Sequence, residues 1–346
     1  MALASGQTQF TAPHAGRGMR HDLDYLPALW ASDGDYVLVD DREAAHEHAR
    51  HLKHLAAAVH FISKTELSTL HFDQIEPWGW DRAVRHDLNK AGIDRSQLPS
   101  DSYLDTIRSL SNRRWASLHL LPLLQGEGTV GQAEYVDDIE QLASVLTKFG
   151  KSVVKAPWSS SGRGVHYVDN SLADNQFTGW ARNVIRRQGG VTVEPYYNKI
   201  KDFGAEFYVG QKQVEYRGLS LFKTISGAYA GNILATEEAK IEILQKYIPL
   251  DILGKTINAI IHVAEKELLG HYQGPFGIDM MIVGAEKGYM LHPCVEMNLR
   301  HTMGHVALSV SRTCYDPQRL MRIYFDGHYH FRILDTLENV VDKDIY

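Results

Sequence analysis

The sequence predicts an α/β chain that runs into an α+β one, and three observations carry that expectation. Up to about residue 110, short apolar runs alternate with helical patterns, the arrangement that builds parallel sheets. From about residue 191 to residue 297, strand-type alternation dominates and a single helical tract interrupts it. The chain has 346 residues, beyond the roughly 250–300 at which one hydrophobic core stops growing, so two or three domains are expected.

Taken in order, the first twenty or so residues are rich in Gly, Ala, Thr and His without periodicity and are expected to form an extended arm or irregular lead-in. Residues 36–39, apolar between Asp35 and Asp40, predict a strand, and the Ala-rich pattern over 42–54 a helix. A second strand follows at 58–63, and a helix at 81–90 stops at Gly92. Residues 102–118 read as helix, Gly126, Gly128 and Gly131 as a loop, and 136–149 as a helix closed by Gly150. Strands at 151–155 and 165–168 flank a Ser/Gly loop, and a helix at 175–188 leads to a strand at 191–196. Residues 203–235 are paired strands, 237–269 two helices split near Pro249, and 276–297 two strands around Gly284 and Gly288. The expected organisation is an N-terminal α/β domain over 1–110, a small subdomain with the Ser/Gly-rich loop over 111–190 and a larger one over 191–346.

Composition excludes several function classes. Hydrophobic residues make up 44% and charged residues 23%, enough apolar material to exclude wholesale disorder. The 36 Lys and Arg against 42 Asp and Glu give a net charge of −6, without the basic excess of a nucleic-acid binder. Two cysteines, Cys294 and Cys314, form no disulfide framework and fall short of a zinc-ligand set, so a reducing, cytoplasmic setting is expected. No run approaches the ~18 apolar residues of a membrane span, and the first ten residues lack the charged flank and apolar stretch of a secretory signal; no membrane partner is expected.

Two constellations carry chemistry. In K-A-P-W-S-S-S-G-R-G-V, from Lys155 to Val165, a lysine at a strand end precedes three serines and two glycines. Backbone N–H groups, hydroxyls and the lysine charge suit phosphate oxygens, although the spacing is not that of a Walker A loop, and a flexible surface hairpin has the same composition. Far downstream, Asp279 lies in F-G-I-D-M-M-I-V, and Glu296 and Asn298 in H-P-C-V-E-M-N-L-R-H. Residues 296 and 298 share a face if this is a strand. Two carboxylates and a carboxamide are hard oxygen ligands of the kind magnesium takes alongside water and phosphate; ion-paired or solvated strand acids are the plain alternative.

In order and spacing, Lys155, the Ser/Gly loop, Glu194-Pro195, Asp202, Asp279 and Glu296-x-Asn298 resemble the ATP-grasp superfamily, over about residues 110–315. The E-M-N-L-R-H-T-M-G-H run from Glu296 to His305 is similar to the biotin carboxylase version. The resemblance implies an ATP-grasp fold preceded by a pre-ATP-grasp-like N-terminal domain, with ATP held between two α+β subdomains. Arg113 or Arg114 then takes the place of the upstream phosphate-binding cation. Lys155 contacts the α/β-phosphates and the adenine region, and Ser159, Ser160, Ser161, Gly162 and Gly164 belong to the mobile loop. Glu194 begins the strand that reads adenine, Asp202 holds the ribose hydroxyls, and Asp279, Glu296 and Asn298 bind Mg2+. Arg300 stabilises charge on phosphate and acyl oxygens. Two departures stand out: Gly277 where ligases joining two D-alanines carry arginine, and Gly304 where biotin carboxylase carries its glutamate base.

Other candidates have plain readings beside the chemical ones. His46, His48, His51 and His54 crowd one helix without a metal-binding spacing and are expected on a solvated face. Trp78 and Trp80 suit an aromatic wall for a substrate or packing between domains. Arg217, beside Lys223, Tyr229 and Asn232 on the strand pair, suits a carboxylate clamp or a salt bridge within the sheet, and Cys294 is expected to be a buried structural thiol. The function expected from the resemblance is a carboxylate-amine ligase that activates a small-molecule carboxylate as an acyl phosphate and releases ADP and phosphate, with a homodimer as a compatible assembly. A kinase on the same scaffold, or a non-catalytic nucleotide-binding regulatory protein, is the alternative.

Overall fold

In the computed structural model, residues 2–159, 164–169, 174–225, 228–311 and 319–334 are described. Three sheets organise them. In the N-terminal part, β1 (Tyr36–Leu38) and β2 (His60–Ile62) pair in parallel, with α3 (Arg42–Ala49) crossing between them. Asp41 starts that helix by accepting from the amides of Glu43 and Ala44. Two helices precede this unit, α1 (Ala2–Ser5) and α2 (His14–Leu23), where an irregular arm was expected. α2 is short and contains two glycines, so its sequence pattern is weak. It is fixed from outside: Asp22, on its buried side, accepts from the Tyr329 amide at 2.7 Å.

α4 (Arg82–Lys90) is capped by Asp81 and α5 (Asp101–Leu110) by Ser100. The helix expected over 102–118 breaks at Asn112, whose side chain caps a new turn, α6 (Arg113–Trp115), followed by a π turn over Ala116–Leu120.

A second sheet, antiparallel throughout, holds β3 (Glu134–Val136), β4 (Lys151–Lys155), β5 (Val165–Asp169) and β6 (Val191–Pro195) in the order β3-β6-β4-β5. α7 (Ile139–Phe149) and α8 (Asn175–Gln188) supply its core with Leu142, Leu146, Phe177 and Ala181. β3 takes up Val136, expected to start α7, because Asp138 caps the helix.

The third sheet has seven antiparallel strands: β7 (Lys199–Val209), β8 (Val214–Ile225), β9 (Ala228–Leu234), β10 (Gly274–Gly284), β11 (Tyr289–Asn298), β12 (Arg319–Phe325) and β13 (Tyr329–Leu334), ordered β11-β10-β7-β8-β9-β12-β13. α9 (Glu237–Leu244) and α10 (Leu250–Leu268) meet at Pro249, as the sequence predicts. Phe203, Ala205, Phe207, Phe276, Ile278 and Met280 share a buried core with Leu253, Ile260 and Val263 of α10. α11 (Met303–Ser311) instead joins a second core with the N-terminal part, through Val306, Ala307 and Val310 against Leu26, Leu29 and Val37.

Candidate active site

Strand alternation sends the residues between those core positions to the opposite face of the large sheet. On β10, Gly277 lies across from Glu206 of β7 and Asn298 of β11, and Asp279 lies across from Gly204 and Glu296. Asp202 and Met281 form the next row of the same ladder. Four carboxylates and a carboxamide therefore share one surface, although they come from three strands.

Their electrostatics follow from that crowding. Burial, joined by the neighbouring charge of Glu296, pushes Asp279 up to about 7, and its Oδ2 accepts from Asn298 Nδ2 at 3.3 Å. Two arginines close over the row. Arg300 donates to Asn298 Oδ1 at 2.7 Å and to the His301 carbonyl at 3.0 Å. Arg113, itself buried, reaches Glu296 Oε2 at 2.7 Å and donates to the Ala156 carbonyl and Ser159 Oγ, each at 2.7 Å.

This donor set fits magnesium. Among the described residues no group of three His, Cys, Asp or Glu is placed to hold a metal. Asp279 and Glu296 with the Asn298 carboxamide suit a hard cation that takes few protein ligands and completes its shell from water and phosphate. The charge of Glu296 beside Asp279, which adds to burial in raising it, is one that a dication would offset.

Glu206 is the acid that sequence reasoning missed. Burial, with the charge of Asp279 added, pushes it up to about 8. Its Oε2 accepts from Thr302 Oγ1 at 2.9 Å and lies 3.1 Å from His305 Nδ1. His305 Nε2 faces the Phe207 carbonyl at 3.2 Å, a pure acceptor, so that nitrogen carries hydrogen and Nδ1 is the acceptor. Burial holds His305 down to about 3, which leaves the shared proton on Glu206. The carboxyl occupies space that two glycines leave open. A methyl group at 304 would sit 1.8 Å from Oε1, and one at 277 would sit 2.4 Å from Oε2.

The other end of the face meets the four-stranded sheet. Lys155 and Glu194 are both buried there, with Nζ 2.6 and 2.7 Å from the two carboxylate oxygens. His292 and Cys294 precede Glu296 on β11 by four and two residues, and both feel the charges of Lys155 and Glu194. Burial pushes His292 down to about 4 and the Cys294 thiol well up. Cys294 is thus the buried thiol the sequence suggests, whereas both ring nitrogens of His292 lack a hydrogen-bond partner among the described residues. Asp202 is held by Lys199 Nζ at 2.6 Å.

Of the two upstream arginines, only Arg113 faces this surface. Arg114 is exposed, with its guanidinium 4.8 Å from the Tyr135 ring. Ser160, Ser161, Gly162 and Cys314 lie outside the described residues. Gly164, at φ +73°, closes the loop through a bond from the Ala156 amide to its carbonyl at 2.9 Å. Arg217 pairs with Glu215 at 2.9 Å and lies 5.1 Å from the Tyr208 ring. On α3, His46 and, just beyond it, His51 and His54 are exposed, whereas His48 is half-buried, 5.7 Å from Tyr25. Trp80 packs between two cores, and Trp78 stays exposed beside His301.

No protein-family model and no curated protein sequence matches the chain. Among solved structures, it is similar to biotin carboxylase from Campylobacter jejuni in a complex with β,γ-ATP, with a TM-score of 0.52 and 14% identity over 87% of this chain and 73% of that one. It is also similar to N5-carboxyaminoimidazole synthetase from Staphylococcus aureus complexed with ADP, with a TM-score of 0.48 and 15% identity over 89% and 80%. N5-carboxyaminoimidazole ribonucleotide synthetase from Thermus thermophilus gives 0.46 and 13% over 89% and 82%. At these identities the likeness is one of fold: the chain has the ATP-grasp fold.

Proposed function

We propose that the protein is an ATP-dependent carboxylate-amine ligase. It activates a small-molecule carboxylate as an acyl phosphate, passes the acyl group to an amine, and releases ADP and phosphate. One observation carries this reading: Lys155 and Glu194 of the four-stranded sheet stand at one end of a polar face of the seven-stranded sheet, which runs past His292 to Asp279, Glu296, Asn298 and Arg300. That order matches a nucleotide laid along the cleft with its base at the lysine end and its γ-phosphate at Arg300. The C. jejuni biotin carboxylase, which shares the fold, is a β,γ-ATP complex, and we extend nucleotide binding to this chain on that basis.

Asp279, Glu296 and Asn298 would hold Mg2+, which when bound neutralises phosphate charge. The chain's own residues then position and exclude. Lys155 meets the α/β-phosphates and Arg113 the phosphate tail. Asp202 holds the ribose, Ser159 to Gly164 cover the phosphates, and Arg300 balances charge on the transferring phosphoryl group and acyl oxygen. No side-chain nucleophile is required. The ligase works on small molecules, in a cytoplasmic setting, and the nucleotide cleft lies between the four-stranded and the seven-stranded sheets, apart from an N-terminal domain ending near residue 110.

Hydroxylamine supplied with MgATP and a panel of carboxylates tests the chemistry. The ligase yields a hydroxamate and stoichiometric ADP. A kinase acting on a hydroxyl yields ADP without hydroxamate, a binding-only protein yields neither, and AMP as the product refutes the acyl-phosphate route.

A further inference from the structure

The loop before α4 brings an acid and an indole to the Arg300 end of the face. Glu76 Oε1 lies 2.7 Å from His301 Nε2, and the His301 amide donates to the Trp78 carbonyl at 2.8 Å. Gly79 is pressed against Arg300 so closely that a methyl group there would fall 2.8 Å from the arginine Cβ. The loop is therefore held beside Arg300 by bonds and by sterics together.

His301 is enclosed by rings, with Trp30 at 4.8 Å, His305 at 5.6 Å and Trp78 at 5.8 Å, and it is only 5% exposed. In the neutral ring that donates from Nε2 to the carboxylate, Nδ1 is an acceptor, and among the described residues that buried nitrogen has no hydrogen-bond partner. Glu76 Oε2 likewise has no donor among the described residues, and the Glu76 side chain is 35% exposed. Trp78 is 40% exposed, with Trp30 packed edge-on against it at 6.0 Å. A carboxylate oxygen without a donor among the described residues thus stands beside an exposed indole, backed by the buried His301 ring. A ligand that carries positive charge and N–H donors satisfies the two exposed partners, the Glu76 carboxylate and the Trp78 ring.

We propose that Glu76, Trp78 and His301 form the subsite for the attacking nucleophile, and that its occupant is a primary amine that arrives as an ammonium ion and passes one proton to the Glu76 carboxylate before its nitrogen attacks. Glu76 and Trp78 contact the ammonium, and His301 positions Glu76. The assignment of this site to the nucleophile rests on the ligase reading, whereas its affinity for ammonium does not.

The full-length protein, labelled with 15N at histidine and tryptophan, is titrated with ethylammonium chloride. Tetramethylammonium chloride and sodium chloride at equal ionic strength serve as references, and His301→Asn identifies the His301 signals. The expected result is a saturable shift of the His301 Nδ1 and Trp78 indole signals with ethylammonium. Glu76→Gln should weaken it about tenfold, since the amide oxygen keeps the His301 bond but loses the charge. Trp78→Leu, at an exposed position, should weaken it without disturbing the Glu76–His301 bond. Silence of both signals, equal shifts with sodium or tetramethylammonium, or unchanged affinity in both variants overturns the proposal. MgATP is titrated into the same samples: nucleotide binding without ethylammonium binding sinks the subsite and leaves the ligase standing. Ethylammonium binding without nucleotide binding does the reverse.

Discussion

Arg113 Nη2 meets Glu296 Oε2 at 2.7 Å, and the same guanidinium holds the Ala156 carbonyl and Ser159, so one side chain ties the start of the Ser/Gly loop to the acidic row proposed to hold magnesium. Glu296→Gln preserves volume and one acceptor while removing a ligand charge. The expected outcome is magnesium dependence of ADP binding weakened about 10–100-fold, with a cooperative melting transition kept but lowered, because the amide oxygen still accepts from the buried Arg113 while the guanidinium charge loses a partner. Calorimetry across a magnesium series, with a thermal melt on the same sample, checks both halves. An unfolded variant would make Glu296 structural.

Lys155 and Glu194 are a buried pair, and such pairs punish single truncation. Lys155→Met leaves the Glu194 carboxylate buried and unpaired, which costs about 3–5 kcal/mol. It should lower the melting temperature and abolish nucleotide binding. Adding Glu194→Gln removes the stranded charge, so the double variant should regain most of the melting temperature but not the binding. A thermal melt and a nucleotide titration on each variant separate the two effects.

Glu206 and Gly304 offer a steric test. A methyl group at 304 would sit 1.8 Å from Glu206 Oε1, so Gly304→Ala should destabilise by about 1–3 kcal/mol through overpacking. Glu206→Ala in the same chain opens that space, and the double variant should be more stable than the additive expectation. Simple additivity in denaturant melts would mean that the two positions do not touch.

Glu206 also sets a pH dependence. Its folded-state value of about 8 lies above the ordinary 4.5, so the folded protein binds the proton more tightly than the unfolded chain. Stability from this group is present below about pH 4.5 and is lost as pH rises through 8. Glu206→Gln keeps the bond from Thr302 and removes the titration. Its melting temperature should exceed the parent's at pH 9 by roughly 2–4 °C for each kcal/mol recovered and converge with it at acid pH. Parallel pH curves for the two proteins would contradict the assignment.

How much of this was legible in the sequence depended on whether the contact was local. Glu296 and Asn298 needed only the two-residue period of a strand, and Lys155 needed only its place at a strand end. Glu206 follows Asp202 by four residues and so shares its face, but only the pairing of β7 with β10 across Gly277 brings it to the site. Arg113 and Arg114 were equivalent in sequence. The cap at Asn112 separates them, because consecutive helical residues point about 100° apart, one inward and one toward Tyr135. The Glu76–His301 contact joins distant segments and left no local pattern. α2 and the β12–β13 hairpin hold each other through Asp22 and Tyr329, and neither carries a strong periodic signal alone.

The measurement that bears most directly on the central claim is an isothermal titration of the full-length protein with ADP, with and without magnesium chloride. Adenine-nucleotide binding that tightens with magnesium is expected, with loss of that tightening, but not of the fold, in Glu296→Gln. No heat of binding at millimolar ADP, with or without magnesium, would contradict it.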